Sequence, residues 1–284
     1  IDGGTDIGAA IVDADLFIID DGAGGTNRKT AASRLLTYID PITHKTEGTN
    51  FTNSLLIGHA TTGTLNSATE NTGVGIAALD AITSGTNNTA IGKGAGSTLT
   101  TSSNNTLAGK NSAFSLLSGN GRNTNVGSSS GYYNKTGTDN VSVGNAALFG
   151  VSNQSNSKNT SLGAYSSQLI TTGSNNITIG YQAGNNITSG DGNIVIGNGD
   201  VASATGDKQF KISDGVDGSI AWITGDSSGN LTFGGTITIG SATVTEAQLE
   251  ILDGATVTTT ELNTLDGVTL GTAIASKVVT TDSN

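Results

Sequence analysis

The sequence predicts an all-β, fibrous fold: a repetitive β-roll or β-solenoid of nine coils, flanked by small β-rich modules with short helices. Three observations predict it. First, the 284 residues include 42 Gly, one Pro and only 4% aromatic residues, so little apolar volume is available for a wide core. Second, a short motif recurs at a nearly constant, short spacing. Third, apolar and small residues return at fixed offsets within each repeat. A thin core that repeats along an axis fits this composition.

The repeat is clearest in NNTAIGKGAG, residues 87–96, which returns as NNITIGYQAG, residues 175–184. Each unit is anchored on an Asn three residues before an apolar residue and four before a Gly, and Ser54 leads the series, one repeat before Asn71. We expect the anchors to form a structural ladder, in which amide side chains stack from coil to coil and bond the backbone. The alternative is a polar ligand-binding stripe. The anchors are Asn71, Asn88, Asn105, Asn123, Asn140, Asn159, Asn176 and Asn193.

Each unit is expected to contain a strand, a Gly turn, a second short strand and a polar turn. Polarity alternates in segments such as NTAIG, which is typical of a short half-buried strand. The Gly that follows ends the strand and permits a positive φ. From Asn71 to Asn176, the residue seven positions after the anchor is Ala or Ser, as in Ala95 and Ala183. Such a small residue indicates a close approach, either inside the coil or against a neighbouring chain.

Composition and periodicity divide the chain into four regions. Residues 1–50 read as a connecting module: a strand at Leu16–Ile19, a Gly-rich turn, and a short helix from Thr26 or Asn27 to Leu36. Residues 51–205 form the repeat region. Residues 206–240 read as an antiparallel β stem. Residues 241–284 contain two T-x-x-E/Q-L-x-x-L-D-G units, whose capping boxes predict short helical turns.

Charge and composition exclude several classes of function. The net charge of −11 disfavours nucleic-acid binding, which needs a basic surface. No apolar run approaches the roughly 18 residues that a membrane-spanning helix needs, so we expect no membrane insertion. There is no Cys, which excludes disulfides and thiol nucleophiles. Residues 54–197 carry four acidic and five basic residues, so this block is close to neutral and suited to association.

The sequence gives no sign of catalytic, cofactor-binding or metal-binding residues, so we expect no enzyme activity and no cofactor. The two histidines, His44 and His59, have no acid or second ligand at a suitable spacing, and His59 is expected to face solvent. DGVDG, residues 214–218, is a weak candidate for a calcium-binding loop, and its sequence fits a simple turn better. A glycan hydrolase needs two carboxylates close together. The acidic residues of the repeat block are scattered through different units: Glu70, Asp80, Asp139 and Asp191.

Two adjacent units break the pattern and provide the candidate contact site. Tyr132 and Tyr133 lie in the unit from Asn123, which places Asn134 at a usually apolar position. Phe149 lies in the next unit, which is the longest of the series. Exposed aromatic rings beside amides suit a sugar or a neighbouring fibre. The alternative is that the rings only fill space in the assembled fibre.

The N-T-A-I-G, A-G and T-G-S-N elements of the repeat resemble those of phage tail-fibre proteins, including marine phage fibres. The T-x-x-E-L-N-x-L-D-G unit resembles phage fibre stems, and the overall architecture is similar to the β-roll heads of trimeric autotransporter adhesins. The resemblance implies a parallel homotrimer that acts as a stiff structural rod on a virion or outside the cell, with a cell-surface glycan or protein as a possible receptor. An alternative is a bacterial surface adhesin or a self-assembling extracellular filament. A glycan-degrading tailspike is disfavoured by the scattered carboxylates.

Overall fold

The computed structural model describes residues 16–20, 27–31, 44–46, 48–151 and 154–245. Within these residues the fold is all-β, with no helix, and its main element is a β-solenoid of about nine turns. This confirms the predicted all-β class and the repetitive solenoid of nine coils. The chain divides into two compact units, residues 1–232 and 233–284. The expected helical turns of residues 246–284 lie outside the described residues.

The first two strands form an antiparallel hairpin. They are β1 (Leu16–Asp20) and β2 (Asn27–Ala31), and Leu16 pairs with Ala31. The strand expected at Leu16–Ile19 is confirmed. The helix expected from Thr26 or Asn27 is wrong over residues 27–31, because pairing with β1 overrides the local capping signal. Residues 32–36 lie outside the described part of the chain.

One three-residue strand in each turn builds the solenoid sheet, which begins with the two-residue strand β3 (His44–Lys45). Each strand starts one residue after its anchor. The nine strands are β4 (Leu55–Ile57), β5 (Thr72–Val74), β6 (Thr89–Ile91), β7 (Thr106–Ala108), β8 (Thr124–Val126), β9 (Val141–Val143), β10 (Thr160–Leu162), β11 (Ile177–Ile179) and β12 (Ile194–Ile196).

The nine strands are parallel and in register, so equivalent residues of successive units are direct neighbours. Thr72 pairs with Thr89, for example. The register persists through the two units that are longer than the others, since Thr106 still pairs with Thr124 and Val141 with Thr160. The additional residues are therefore accommodated outside the strands.

The sheet continues beyond the repeat region and ends in antiparallel pairs. At one end, β3 runs antiparallel to β4. At the other, β13 (Phe210–Ser213) is parallel to β12 and antiparallel to β14 (Ala221–Gly225), which neighbours β15 (Leu231–Phe233). A separate antiparallel pair, β16 (Ile237–Ile239) with β17 (Ala242–Val244), forms a two-stranded sheet.

The expected second strand of each coil is absent from the described turns. After the Gly, the chain forms consecutive turns in which residues six and eight positions past the anchor have positive φ, as in Ala77 (58°) and Leu79 (59°). Hydrogen bonds between layers persist without a strand: the Gly94 N–H donates to Ile76 O (2.8 Å) and the Leu79 N–H to Ala95 O (3.1 Å). Because left-handed residues reverse the chain locally, the backbone closes the coil within a few residues.

The left-handed positions are occupied mainly by residues other than Gly, so substitution by Gly at such a position can stabilise the fold. We expect Ala77→Gly to raise the free energy of unfolding by about 0.5 kcal/mol, since relief of a left-handed penalty of roughly 1–2 kcal/mol outweighs the backbone entropy that Gly loses. Ala164, which is also half-buried but lacks a positive φ, is the matched control. Ala164→Gly should destabilise by roughly 0.5–1 kcal/mol. Urea denaturation followed by circular dichroism measures both, and the same sign for the two changes would contradict the assignment.

The core is a narrow column inside the coils. The central residue of each strand points inward. Examples are Leu56, Ala90, Leu107 and Val195, which are fully buried. The small residues seven positions past the anchor face them and are also buried. The close approach indicated by Ala95 and Ala183 is therefore inside the coil of a single chain.

Candidate functional site

The anchor asparagines form a continuous buried ladder along the solenoid. Each anchor is at most 1% exposed. Oδ1 of Asn71 accepts hydrogen bonds from the backbone N–H of Asn88 (3.1 Å) and from its Nδ2 (3.0 Å), and this pattern recurs from layer to layer. Nδ2 of Asn88 also donates to Ser102 O at 3.0 Å, which ties the ladder to the turn of its own coil. The ladder uses its amides for internal bonds, so it offers no free polar stripe to a ligand.

Two residues of different type terminate this Asn ladder. Ser54 Oγ accepts from the Asn71 N–H (2.9 Å). At the other end, the N–H and Nε2 of Gln209 donate to Asn193 Oδ1 at 2.8 and 3.2 Å. Gln209 was missed from the sequence because it is not an Asn. Two signals in the sequence could have identified it. Gln209 follows Asn193 by nearly one repeat, and it directly precedes the apolar–polar alternation of Phe210–Ser213.

A second ladder consists of the glycines that follow the strands. Their φ values lie near +130° in the central layers, a region that L-residues avoid. A Cβ on Gly127 would lie only 2.3 Å from Gly144 O. Backbones of adjacent layers therefore touch at these positions. The glycines are Gly58, Gly75, Gly92, Gly109, Gly127, Gly144, Gly163, Gly180 and Gly197.

The candidate contact residues come together in an aromatic cluster on the solenoid. Tyr132 stacks between Phe114 and Phe149, with ring centroids 5.1 and 5.2 Å apart. Tyr133 packs edge-on against Tyr132 (4.6 Å) and Phe149 (5.1 Å). All four rings are half-buried. Because both faces of Tyr132 are covered, a sugar cannot stack on this ring, and contact would be made by ring edges and hydroxyl groups.

An exposed apolar face runs along the solenoid sheet. The first and third residues of strands β4–β12 point outward, and we call these eighteen positions the outer face. The third residue is 36–49% exposed in six of the strands: Val74, Ile91, Val126, Val143, Ile179 and Ile196. The outer face contains only Thr, Val, Ile, Leu and Ala, with no charged residue. An uncharged apolar strip of this regularity is typical of an association surface.

The acidic residues of the repeat block do not converge. Asp139 accepts a bidentate pair of hydrogen bonds from Arg122 (2.6 and 2.8 Å), which lowers the pKa of this carboxyl. Asp191 accepts from the Ser174 N–H at 2.6 Å. Glu70 lies in an earlier layer, at the position just before its anchor. Within the described ranges, no group of three or more His, Asp or Glu side chains could hold a metal ion.

His59 does not face solvent, and that expectation is wrong. The side chain is half-buried and its Nε2 lies 2.7 Å from Ala78 O, because the turn of the second coil covers it. Burial raises the pKa of Asp80, while the electrostatic interaction with His59 opposes this shift. His59 Nδ1 and Asp80 Oδ1 are both buried without a hydrogen-bond partner. The two residues belong to adjacent coils, so their proximity could not be read from sequence spacing.

The DGVDG segment forms a turn organised by one carboxylate. Asp214 Oδ1 accepts from the N–H groups of Val216 (2.9 Å), Asp217 (3.0 Å) and Gly218 (3.2 Å), and Oδ2 accepts from Ile220 N–H (2.8 Å). These donors lower the pKa of Asp214 to about 2, with the Ile220 hydrogen bond as the largest cause. Amide donors occupy both oxygens that a calcium ion would use.

The depressed pKa of Asp214 predicts an acid-sensitive turn. A carboxyl whose pKa is lower in the folded than in the unfolded chain stabilises the fold when the pH is above its usual pKa. For Asp214 this contribution is lost as the pH falls through about 2. We expect NMR titration to show Asp214 ionised at pH 3, where an ordinary Asp is mostly protonated. An Asp214 titration midpoint near 4 would contradict the structure.

The fold and these ladders define the chain as a β-solenoid repeat protein. No family model, curated protein or solved structure matches it. No helix among the described residues is long and apolar enough to cross a membrane.

Proposed function

We propose that the chain is a structural subunit of an extended fibre on a virion or outside the cell, and that it works as a parallel homotrimer. The observation that carries this proposal is the outer face. It extends through nine layers, or about 40 Å at roughly 4.8 Å per layer. Among the residues that the structure describes, none covers it, whereas the inner face of the same strands is buried. Association of identical copies removes this face from water.

The chemistry of the outer face favours copies of the same chain as partners. Its residues carry no charge, and the surrounding block from 54 to 197 has four acidic and five basic residues, so identical copies approach with little repulsion. Parallel chains also bring identical layers into contact along the whole length. The resemblance of the repeat to tail-fibre proteins supports three chains around one axis.

The proposed work is mechanical rather than catalytic. The Asn and Gly ladders and the in-register sheet connect every layer to the next, which makes the solenoid stiff along its axis. The regular layers present the same surface repeatedly, so recognition of a cell-surface glycan or protein falls to the layers that break the pattern. These are the units from Asn123 and Asn140, which carry the aromatic cluster.

Disruption of the outer face tests the proposal. We expect the parent chain to sediment as a trimer, and the double variant Ile91→Lys with Ile179→Lys to sediment as a folded monomer, because buried unpaired charges oppose association. Analytical ultracentrifugation at micromolar concentration gives the mass, and circular dichroism reports the fold.

The matched control is the double variant Ile76→Lys with Leu169→Lys. These residues are 63% and 49% exposed but lie outside the outer face. The control should remain trimeric. A parent chain that is folded and monomeric would overturn the trimer, and a control variant that dissociates equally would assign the interface to another surface.

A further inference from the structure

The column of inward-pointing central strand residues changes from apolar to polar and back along the axis of the solenoid, while Leu148 and Ile170 remain fully buried beside its polar part. One hydrophobic cluster runs from Phe51 to Leu116, and a second contains Ala183, Ile187, Val195 and Val201. Between them, the inward-pointing central strand residues are Asn125, Ser142, Ser161 and Thr178, all buried. We call the layers from residue 123 to residue 178 the polar section.

Hydrogen bonds satisfy the side chains inside the polar section. Ser142 Oγ donates to Asn125 Oδ1 and contacts Ser130 Oγ, which links two adjacent layers. Thr178 Oγ1 donates to Ser161 Oγ (3.1 Å) and pairs with Ser167 Oγ (2.9 Å). Such bonds are regained with water when a layer opens, whereas burial of apolar side chains is lost. Opening therefore costs less here than in either apolar segment.

The aromatic cluster lies on the outside of the first two layers of the polar section and of the apolar layer before them. Phe114, Tyr132 and Phe149 come from three successive units and stack on one another, with Tyr133 packed against two of them. The rings span the junction where the apolar interior ends and the polar interior begins. They add apolar contact between layers whose interior contributes few buried aliphatic side chains, chiefly Leu148 and Ile170.

We infer that the polar section is a built-in weak segment of the rod, which opens before the apolar segments on either side, and that the aromatic cluster holds it closed. This inference concerns a single chain and does not depend on the proposed fibre function or on the number of chains. It assigns the aromatic rings a conformational role, distinct from receptor contact.

Hydrogen exchange of the full chain, resolved by mass spectrometry of peptides, tests this inference. We expect strand and turn amides of residues 123–178 to exchange at least tenfold faster than those of residues 71–107. Tyr132→Ala should accelerate exchange in residues 114–166 by a further tenfold or more and leave residues 71–91 unchanged. Tyr181→Ala is the control, because that ring is 52% exposed and has a single edge-on contact, with Tyr165. It should change exchange in residues 114–149 by less than twofold.

A second variant tests the interior directly and keeps the inference falsifiable if Tyr132→Ala does not fold. In the double variant Asn125→Leu with Ser142→Ala, the layer from Asn123 gains a central Leu like Leu107 in the layer before it. The variant also removes the Ser142 hydroxyl, whose hydrogen bond Asn125 accepts. We expect exchange in residues 123–147 to slow at least fivefold. Uniform exchange along the solenoid, or equal acceleration of all layers by Tyr132→Ala, or faster exchange in the double variant, would overturn the inference.

Discussion

Gly127→Ala is expected to lower the free energy of unfolding by roughly 2–6 kcal/mol, combining backbone strain of about 1–3 kcal/mol with overpacking of about 1–3 kcal/mol. Gly127 has a φ of +135°, and a Cβ on it would lie 2.3 Å from Gly144 O. The obstructing atom is backbone of the next layer, which is itself held in the sheet. The layers must therefore separate locally, and interlayer hydrogen bonds weaken on both sides.

Gly215→Ala is the control for this change. No atom lies within 4 Å of a Cβ at Gly215, and its φ is not positive. Its effect should stay within about 0.5 kcal/mol. Chemical denaturation monitored by circular dichroism gives both values. Equal unfolding midpoints for the two variants would refute the close contact between the glycines.

Asn123→Leu is expected to cost roughly 2–6 kcal/mol, since two buried polar groups lose their partners at about 1–3 kcal/mol each. The variant removes the donor to Gly137 O (3.0 Å) and the acceptor of the Asn140 N–H (3.1 Å). Both groups are enclosed, so water cannot replace the lost bonds without opening the coil. A side chain of similar size preserves volume, which isolates the polar effect.

The comparison for Asn123→Leu is Asn120→Leu, three residues earlier at an exposed turn. That change should alter stability by no more than about 0.5 kcal/mol. Both variants are measured by thermal and urea denaturation at one protein concentration, because association would otherwise shift the midpoints. An Asn123→Leu protein as stable as the parent would show that the ladder contributes little to the fold.

The period and the strand positions could be predicted from the sequence because each strand follows an Asn and precedes a Gly at constant offsets. Gly supports a φ near +130°, which few other residues can adopt. These two residue types carry the signal directly. The solenoid therefore follows from local chemistry repeated in register.

The side of the sheet occupied by each apolar column could not be read from the periodicity. In a three-residue strand, only the central side chain points inward, so Ile91 lies outside while the small Ala90 is buried. The turns that replace the second strand could not be predicted either, because Ala and Leu, the residues at positions 77 and 79, do not normally indicate a positive φ. The aromatic cluster and the contact between His59 and Ala78 join residues of successive units, which only the stacking of coils brings together.

The register that persists through units of unequal length has a consequence for how such a protein evolves. Duplication or loss of one complete unit adds or removes a layer of about 4.8 Å while the strands of the remaining layers keep their register. Ser54 and Gln209 end the Asn ladder whatever the number of layers between them. Recombination between repeats can therefore change the length of the solenoid while the residues that end the Asn ladder stay the same.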